Sequence, residues 1–568
     1  MRSTTATIII AKMMRQLSLA SGVVLLFSSV VLPTQTPAKG GLEGTIIRSG
    51  TREPIPDVYA TLSSADNQPA IVVSAKSDGN GKFAFDNLFP GAYRLVVNAT
   101  GFVKQQYGQH TPYGQGRLVF VSAGRIIKDA TISLTPFAIV RGRVLDDKNQ
   151  IAPGASVQLL RVVYNERGKS YRAASSSVAD DRGEYRLFDV PPGRYLLWAG
   201  TAQGPNFNSS SARYNLVFYP DTENIEQASP LNLTPGSEVA VDMRVRKRLE
   251  AYRVRGRLID PSGKPLPDRV SIGLIYQSYG TGGGFAPRQT FDPATGVFEL
   301  LNVEFGSWVA STMILDTALP PIAGIVDADT VRARLAESVS SPLAAARIRV
   351  TDSDIEVVLL TLQRGATTKG QVLVEGQPIS SITNLNRIRL DFIPAQFGND
   401  APVATPPATD GTFEVRGLRE GEYRLVTSSM IPGFYVKSLR YGSDNLLVGP
   451  LRLPATDYKS FEMELRATAA QIRGTVADAL SLPVPGIQVF LVPEMRDRSD
   501  LYRTATTDPN GRFSLISLPP GDYKVFSWDS VDEGAQYDPD FLMQYDMQGT
   551  PVHIEESSNL DVGVQLIP

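Results

Sequence analysis

The stretch DPNGRFSLISLPPGDYKV (508–525) reads as a turn, a strand, a second turn and a second strand. DPNG is typical of a tight turn, because Gly accepts a positive φ and Asp caps the turn with side-chain hydrogen bonds. Phe513 and Leu515 alternate with polar neighbours, which is the period-2 pattern of a half-buried strand. PPG repeats the turn, and Tyr523 and Val525 return to the same apolar side. The stretch therefore predicts one β-hairpin.

Four other segments, 78–95, 180–197, 293–310 and 408–425, carry the same pattern without a gap. A Gly is followed two residues later by an aromatic residue, seven later by Leu or Val, and ten later by a second Gly with an aromatic residue two beyond it. The Gly and aromatic residues are Gly81, Phe83, Gly91, Tyr93; Gly183, Tyr185, Gly193, Tyr195; Gly296, Phe298, Gly306, Trp308; Gly411, Phe413, Gly421, Tyr423; and Gly511, Phe513, Gly521, Tyr523. We predict that the glycines reverse the chain and that the rings fill interiors.

Each copy follows, by 37 to 41 residues, a short opening strand with its own Gly, and a closing strand ends each repeat. Many short strands with regular turn signals predict an all-β fold of five tandem antiparallel β-sandwiches. The predicted units are unit 1 (40–136), unit 2 (137–248), unit 3 (250–365, with an inserted loop that carries a short helix near 330–339), unit 4 (366–467) and unit 5 (468–568). Because the connections are short, we expect a stiff end-to-end rod of about 150 Å. We predict that this rod acts as a non-catalytic spacer or binding scaffold at the cell envelope.

The N-terminus differs from the repeats. Arg2, Lys12 and Arg15 precede the apolar run 17–32, which is typical of a secretory signal peptide. We predict a signal peptide over 1–38 and a secreted, periplasmic or cell-envelope protein. The alternative is an uncleaved membrane anchor, for which the run is short. No later stretch is apolar enough to suggest a membrane span.

Composition excludes several classes of function. The net charge is −2, with 56 basic and 58 acidic residues interspersed, so nucleic-acid binding has little electrostatic support. Cys is absent, which excludes disulfides, thiol catalysis and thiolate metal sites. The chain has only two His, His110 and His553, and neither has a Glu at the spacing of a zinc peptidase. We predict no enzyme activity, no cofactor and no metal site.

Two groups of oxygen-bearing residues leave alternatives open. The Asp-Gly turns resemble weak calcium loops, but turn capping explains them without a metal. The acidic loops 219–227 and 529–540 are either weak cation sites or solvated loops.

Aromatic residues in the loops of units 2 and 5 offer a candidate ligand site. Because a sugar packs its apolar face on an exposed ring, these residues are candidates for a carbohydrate platform, with ordinary packing as the alternative. The candidate ligand-binding residues are Trp198, Phe207, Tyr214, Tyr219, Trp528 and Tyr537. Polysaccharide or another envelope protein is the expected partner, and we expect a monomer.

The combined pattern resembles the carboxypeptidase regulatory-like domain family. It consists of G-x-V, a turn with G-x-P, and then D-x-x-G-x-F with L-x-P-G-x-Y, and it is clearest in units 1, 2 and 5. The resemblance implies a transthyretin-like sandwich, in an exported bacterial tandem-repeat protein. It also implies an accessory, structural or ligand-binding role without catalysis. Unit 3 departs from the pattern, because VEFGSWVA (303–310) lacks the Pro.

Overall fold

The computed structural model describes residues 38–65, 71–166, 168–201, 214–246, 252–276, 284–285, 287–303, 306–314, 342–351, 353–395, 401–467 and 470–568. The apolar run 17–32, the predicted helix near 330–339 and Phe207 lie outside the described residues.

Unit 1 contains two facing sheets. Its strands are β1 (Gly40–Arg48), β2 (Tyr59–Ser64), β3 (Val72–Lys76), β4 (Lys82–Leu88), β5 (Gly91–Val97), β6 (Gln105–Gln106), β7 (Val119–Val121) and β8 (Ile126–Leu134). One sheet has the order β4-β1-β8, and the other has the order β3-β2-β5-β6 with β7 also paired to β5.

Unit 2 repeats this arrangement. Its strands are β9 (Ala138–Asp146), β10 (Ser156–Asn165), β11 (Gly168–Val178), β12 (Glu184–Val190), β13 (Gly193–Gly200), β14 (Val217–Phe218), β15 (Leu231–Leu233), β16 (Glu238–Ala240) and β17 (Met243–Val245). The sheets are β12-β9-β16, with β17 also on β9, and β11-β10-β13-β14, with β15 also on β13.

Unit 3 has two four-stranded sheets. Its strands are β18 (Tyr252–Ile259), β19 (Val270–Tyr276), β20 (Gly284–Phe285), β21 (Arg288–Phe291), β22 (Val297–Val303), β23 (Gly306–Ile314), β24 (Ala345–Val350) and β25 (Ile355–Thr361). The strand orders are β21-β22-β18-β25 and β20-β19-β23-β24.

Unit 4 joins its two halves into one sheet. Its strands are β26 (Ala366–Val374), β27 (Arg389–Pro394), β28 (Val403–Ala404), β29 (Thr412–Leu418), β30 (Gly421–Ser429), β31 (Tyr435–Tyr441), β32 (Asp444–Asn445), β33 (Leu451–Leu453) and β34 (Phe461–Arg466). The order is β32-β31-β34-β26-β29-β28-β27-β30-β33. The short strand β28 makes the join, because it pairs with both β29 and β27.

Unit 5 has the sheets β38-β35-β41 and β37-β36-β39-β40 and one short α-helix. Its elements are β35 (Ala470–Ala477), β36 (Gln488–Pro493), β37 (Arg503–Thr506), β38 (Arg512–Leu518), β39 (Gly521–Phe526), α1 (Pro539–Tyr545), β40 (Thr550–Ile554) and β41 (Asn559–Gln565). Asp538 caps α1, because its side chain accepts hydrogen bonds from the backbone N–H groups of Asp540 and Phe541. Short 3-10 helices across the described residues are Ile225–Gln227, Ile379–Ser381, Leu385–Arg387, Ser499–Leu501, Ala535–Tyr537 and Asp546–Gln548.

Each opening strand pairs with one antiparallel neighbour and one parallel neighbour. In unit 1, β1 is antiparallel to the hairpin strand β4 and parallel to the closing strand β8, and the same arrangement recurs in the other four units. The predicted all-β sandwich fold is confirmed, but the sandwiches are not purely antiparallel. Alternation along a strand shows which face is buried and does not show the direction of its neighbour, so the sequence pattern could not reveal the parallel pairs.

Five clusters of buried apolar residues fill these sandwiches, and the buried members of each cluster come from one predicted unit. The first aromatic residue of every hairpin is at most 5% exposed and the second at most 3%. The first Gly has a φ of 71° to 83° in all five copies, a left-handed conformation that Gly adopts without steric cost. The exact unit boundaries remain a prediction.

The first aromatic ring of each hairpin covers the Gly of the opening strand opposite it. Phe513 is in register with Gly474, and a Cβ added to Gly474 would lie 2.6 Å from the ring and 2.2 Å from the Val562 carbonyl oxygen. The other four opening-strand glycines face their rings in the same way, with 2.1 to 3.1 Å between the added Cβ and the ring. These glycines are therefore required by close packing.

The second aromatic residue adds a hydrogen bond that the sequence pattern did not predict. Where it is Tyr, its hydroxyl donates to the backbone carbonyl four residues earlier, as Tyr523 does to Pro519 at 3.0 Å. Tyr93, Tyr195 and Tyr423 do the same at 2.8, 2.7 and 3.4 Å. The hydroxyl thus ties the second turn of the hairpin to the core.

Candidate interaction site where units 1, 2 and 5 meet

The five units do not lie end to end. A loop of unit 5 contacts unit 1, from which it is more than 400 residues distant in sequence: Ser530 Oγ accepts a hydrogen bond from the His110 N–H at 3.1 Å. Gly114 forms a β-bridge with Asp532, and the Leu118 N–H donates to the Gly486 carbonyl at 3.2 Å. The expected rod is therefore wrong. A short connection fixes only the distance between neighbouring units, and their angle depends on contacts that the repeat pattern does not contain.

We call the contact region formed by residues 110–117, 161–166 and 528–537 the junction. Its unit 1 side is ionic, because Arg117 pairs with Asp529, and His110 Nε2 lies 3.2 Å from Asp529 Oδ2. Burial lowers the pKa of His110 below its usual value, and the Arg117 charge lowers it further. Burial also lowers the pKa of the Arg117 guanidinium.

Tyr113 of unit 1 connects unit 2 to the junction. The hydroxyl groups of Tyr113 and Tyr195 lie 2.8 Å apart, and the Arg161 guanidinium stacks 3.6 Å from the centre of the Tyr113 ring. Tyr195 is the second aromatic residue of the unit 2 hairpin, so one side chain serves both the core and the junction. Burial raises the pKa of its hydroxyl well above the usual value. Arg161 also lies 3.9 Å from Asp532 of unit 5.

Tyr537 anchors the far end of the unit 5 loop. Its hydroxyl donates to Glu166 Oε1 of unit 2 at 3.4 Å, and its ring centre lies 4.7 Å from that of Tyr502. Burial raises the pKa of Tyr502 to about 12. Nearby, a Cβ added to Gly534 would lie 2.0 Å from the Tyr164 carbonyl oxygen, so the two units approach closely through a Gly.

Trp528 packs inside unit 5. It is 3% exposed, and its ring is stacked on Phe526 with 5.0 Å between ring centres and 4° between the planes. Phe490 and Phe541 contact the same ring, each at 5.3 Å. Trp528 therefore offers no exposed face to a ligand, and it supports the loop that reaches the junction.

The predicted aromatic residues of unit 2 are also mostly interior. Trp198 is 8% exposed, and its Nε1 donates to Gln158 Oε1 at 3.1 Å. Tyr214 is 3% exposed, and Tyr219 packs half-buried against the unit 2 core. The predicted exposed carbohydrate platform is wrong for Trp198, Tyr214 and Trp528, because their rings complete cores. Repeat spacing could not distinguish a ring at a strand end from a ring in solvent.

The acidic residues of the unit 5 loop face cations of the protein itself. Asp529 and Asp532 lie beside Arg117 and Arg161, in place of the cation site considered from sequence. In the turns, Asp508 Oδ1 accepts backbone hydrogen bonds from Asn510 and Arg512, both at 2.8 Å, as expected for turn capping. Within the described residues, no group of three or more His, Cys, Asp or Glu side chains is arranged to hold a metal ion.

His553 also has a local partner, because its Nδ1 lies 2.7 Å from Asp522 Oδ1 on the exposed surface of unit 5. The Asp522 carboxylate raises the pKa of His553 by hydrogen bonding and by its charge. None of the helices in the described part of the chain is long and apolar enough to span a bilayer.

A cavity of about 540 Å³ lies between units 4 and 5. Leu446, Leu447 and Pro450 supply apolar walls, and Asp497 with the bidentate Arg498–Asp500 pair supplies the polar side. From the same region, Arg424 reaches the Glu166 carbonyl of unit 2 at 2.5 Å. Unit 4 is thereby connected to the same side of unit 2 as unit 5.

The sequence comparison finds a family match in two separate segments. The model of the carboxypeptidase regulatory-like domain matches residues 41–135 and 471–528. These segments of units 1 and 5 are therefore similar to the carboxypeptidase regulatory-like domain. The matched segments include the opening strand and the hairpin of each unit. No curated protein sequence matches the chain.

Solved structures resemble this chain only distantly. The minor pilin GBS52 of Streptococcus agalactiae is 14% identical over 37% of this chain and 97% of that chain, with a TM-score of 0.23. A streptococcal ancillary pilin is 10% identical over 57% and 99%, with a TM-score of 0.21. The Bacillus anthracis TIE protein is 13% identical over 57% of this chain but only 51% of its own length, with a TM-score of 0.17. These values support no transfer of function.

Proposed function

We propose that this chain is an exported, non-catalytic interaction scaffold of the cell envelope. The observation that carries the proposal is the junction, where loops of units 1 and 5 close the array into one body. A spacer gains its length from units placed end to end, whereas this arrangement brings loops of distant units onto a common surface. The scaffold role is therefore favoured over the spacer role.

The local chemistry supports the same proposal. Groups with catalytic potential at the junction are engaged in structural contacts: Arg117 with Asp529, Tyr113 with Tyr195, and Tyr537 with Glu166. The carbohydrate alternative has little support, because three of its six candidate rings are buried. Export rests on the N-terminal pattern in the sequence, which lies outside the described residues.

Two measurements test the proposal. Expression of the full chain in a bacterial host, followed by fractionation and N-terminal sequencing, should place a processed protein outside the cytoplasm. A cytoplasmic, unprocessed chain would contradict export. Binding of purified envelope proteins and cell-wall polysaccharides to the immobilised chain should then identify a protein ligand.

The matched variant for the binding experiment is Arg117→Glu, which removes the ion pair with Asp529 and should open the junction while the hairpins stay intact. A ligand that binds the closed scaffold should lose affinity for this variant. Retention of polysaccharide alone would favour the carbohydrate alternative, and chemical turnover of any bound compound would contradict a non-catalytic scaffold.

A further inference from the structure

The closing strand of unit 3, β25, presents apolar side chains to solvent. Val357 is 86% exposed and Leu359 is 57% exposed. Arg257 on the neighbouring strand β18 is in register with Leu359, so these side chains share the outer face of the sheet. Exposed apolar residues on a sheet edge favour pairing with another strand.

The closing strands of the other units differ at the same two positions. The register against the opening-strand glycines aligns Val358 with Ala130, Val241, Phe461 and Val562. The residues aligned with Val357 are Asp129, Ala240, Ser460 and Asp561, and those aligned with Leu359 are Thr131, Asp242, Glu462 and Gly563. Only unit 3 has large apolar residues at both positions. Charged and small residues are the usual protection of a sheet edge, so β25 is the least protected closing strand.

Unit 4 provides a covered example of this edge. Its closing strand β34 pairs on its outer side with the antiparallel strand β31. That cover is matched in charge, because Arg440 lies opposite Glu462, and Lys437 Nζ lies 3.3 Å from Glu464 Oε1. In unit 3, β25 pairs only with β18 among the described residues. The structural equivalent of β31 is thus missing from that part of unit 3 which the structure describes.

We propose that β25 pairs with β25 of a second copy of this chain, antiparallel and about a two-fold axis through Val358. This register sets Val357 opposite Leu359 of the other copy twice, so both exposed apolar residues gain a cross-strand partner. A basic strand such as β31 would offer no apolar partners to Val357 and Leu359. The β25 strand of a second copy offers the same two apolar side chains. Its one charged residue, Glu356, already pairs with Arg253 of the same copy at 2.7 Å, so the contact brings no unpaired charge to the two-fold axis.

The proposed contact is small and apolar, and its size limits the affinity between the two copies. One added strand pair buries far less than the interface of a permanent dimer, so the association should be weak and concentration-dependent. It replaces the expectation of a monomer, and it does not depend on the scaffold function. Moderate salt should not weaken it, because no ion pair crosses the two-fold axis in this register.

Sedimentation velocity over a range of protein concentrations tests the proposal. The wild-type chain should shift from monomer towards dimer, and the double substitution V357K/L359K should raise the dissociation constant at least tenfold. The matched control is M543K/M547K, which places the same two charges at residues that are 74% and 95% exposed and lie outside any strand. A wild-type monomer at every concentration, or a dimer that survives V357K/L359K, would overturn the proposal.

The absence of native Cys allows a test of the register itself. Residues directly opposite on paired strands are close enough for a disulfide, whereas equivalent residues displaced diagonally are not. Mild oxidation of a mixture of Val357→Cys and Leu359→Cys chains should therefore give covalent dimers, and either variant alone should give far fewer. Equal crosslinking in all three samples, or none in the mixture, would contradict the two-fold register.

Discussion

The repeated hairpin and the junction are both built from aromatic, Gly and charged residues, but they differ in where their information lies. In unit 5, Gly474 of the opening strand and Phe513 of the hairpin meet because both belong to one repeating pattern. At the junction, Arg117 and Asp529 meet although no pattern connects them. The hairpin is thus specified by a short sequence pattern that occurs five times. The junction is specified by the complementary side chains of loops that are distant in sequence and meet once.

This difference predicts how each region responds to substitution. A change in the hairpin should destabilise its own unit and leave the arrangement of the other units intact. A change at the junction should open the array while each unit remains folded.

Gly474→Ala should produce the largest loss of stability. The new methyl group would lie 2.6 Å from the Phe513 ring and 2.2 Å from the Val562 carbonyl oxygen, so the sheet or the ring must move. Overpacking of this kind costs about 1–3 kcal/mol, and backbone contact places this site at the upper end. Urea unfolding in a W198F/W308F background, in which Trp528 is the remaining tryptophan, measures the loss in unit 5 by fluorescence.

The matched control is Gly563→Ala on β41 of the same unit, where an added Cβ meets nothing within 4 Å. This variant should unfold like the wild type. Equal destabilisation by both substitutions would show that the ring-over-Gly contact is not the cause.

Tyr523→Phe should give the next largest effect. It removes the hydroxyl that donates to the Pro519 carbonyl at 3.0 Å, and it leaves that buried oxygen unpaired. We expect a loss of about 1–2 kcal/mol in the free energy of unfolding of unit 5. Tyr59→Phe, at a residue that is 59% exposed, is the control and should be neutral. An unchanged midpoint for Tyr523→Phe would contradict the role assigned to the hydroxyl.

The sequence predicted the hairpin well for a physical reason. The positive φ restricts the first turn position to Gly, and burial restricts the two ring positions to aromatic residues. These residue types therefore recur at fixed spacing in the sequence. The sequence pattern did not reveal a second position with a positive φ, which lies six residues after the first Gly. It is occupied by Asn87, Asp189, Asn302, Gly417 and Ser517. A register shift in the ladder lies at this point in every unit. Several residue types tolerate this bulge, so no single letter repeats.

The candidate site was predicted poorly because its partners are distant in sequence. Trp528 and Tyr537 were identified as special, but as ligand contacts, since an aromatic residue in a loop looks the same whether it meets a sugar or another unit. Tyr113 and Arg117 carried no signal at all. A loop such as 110–117 identifies its partner by shape and charge in three dimensions, and a single sequence does not record that pairing.

Arg117→Glu should open the junction with a smaller effect on unfolding. The new carboxylate would face Asp529, and the ion pair between units 1 and 5 would be lost. Small-angle X-ray scattering should show a larger maximum dimension, while the unfolding midpoints of the separate hairpins stay unchanged. Arg512→Glu, on the exposed face of the unit 5 hairpin, is the control and should keep the closed dimension. A closed array in Arg117→Glu would show that other contacts suffice.

Acid should open the junction slightly, and this is the smallest effect. Burial and the Arg117 charge lower the pKa of His110 in the closed form. The open form therefore binds a proton more readily, so closure is fully favoured above the ordinary His pKa of 6.5 and weakens as the pH falls below it. Single-molecule energy transfer between Cys labels placed in units 1 and 5 can follow closure from about pH 7.5 to about pH 5, a range above the usual titration of Asp529. His110→Gln should remove this pH dependence while Arg117→Glu remains open throughout, and a pH response that survives His110→Gln would assign the titration to another group.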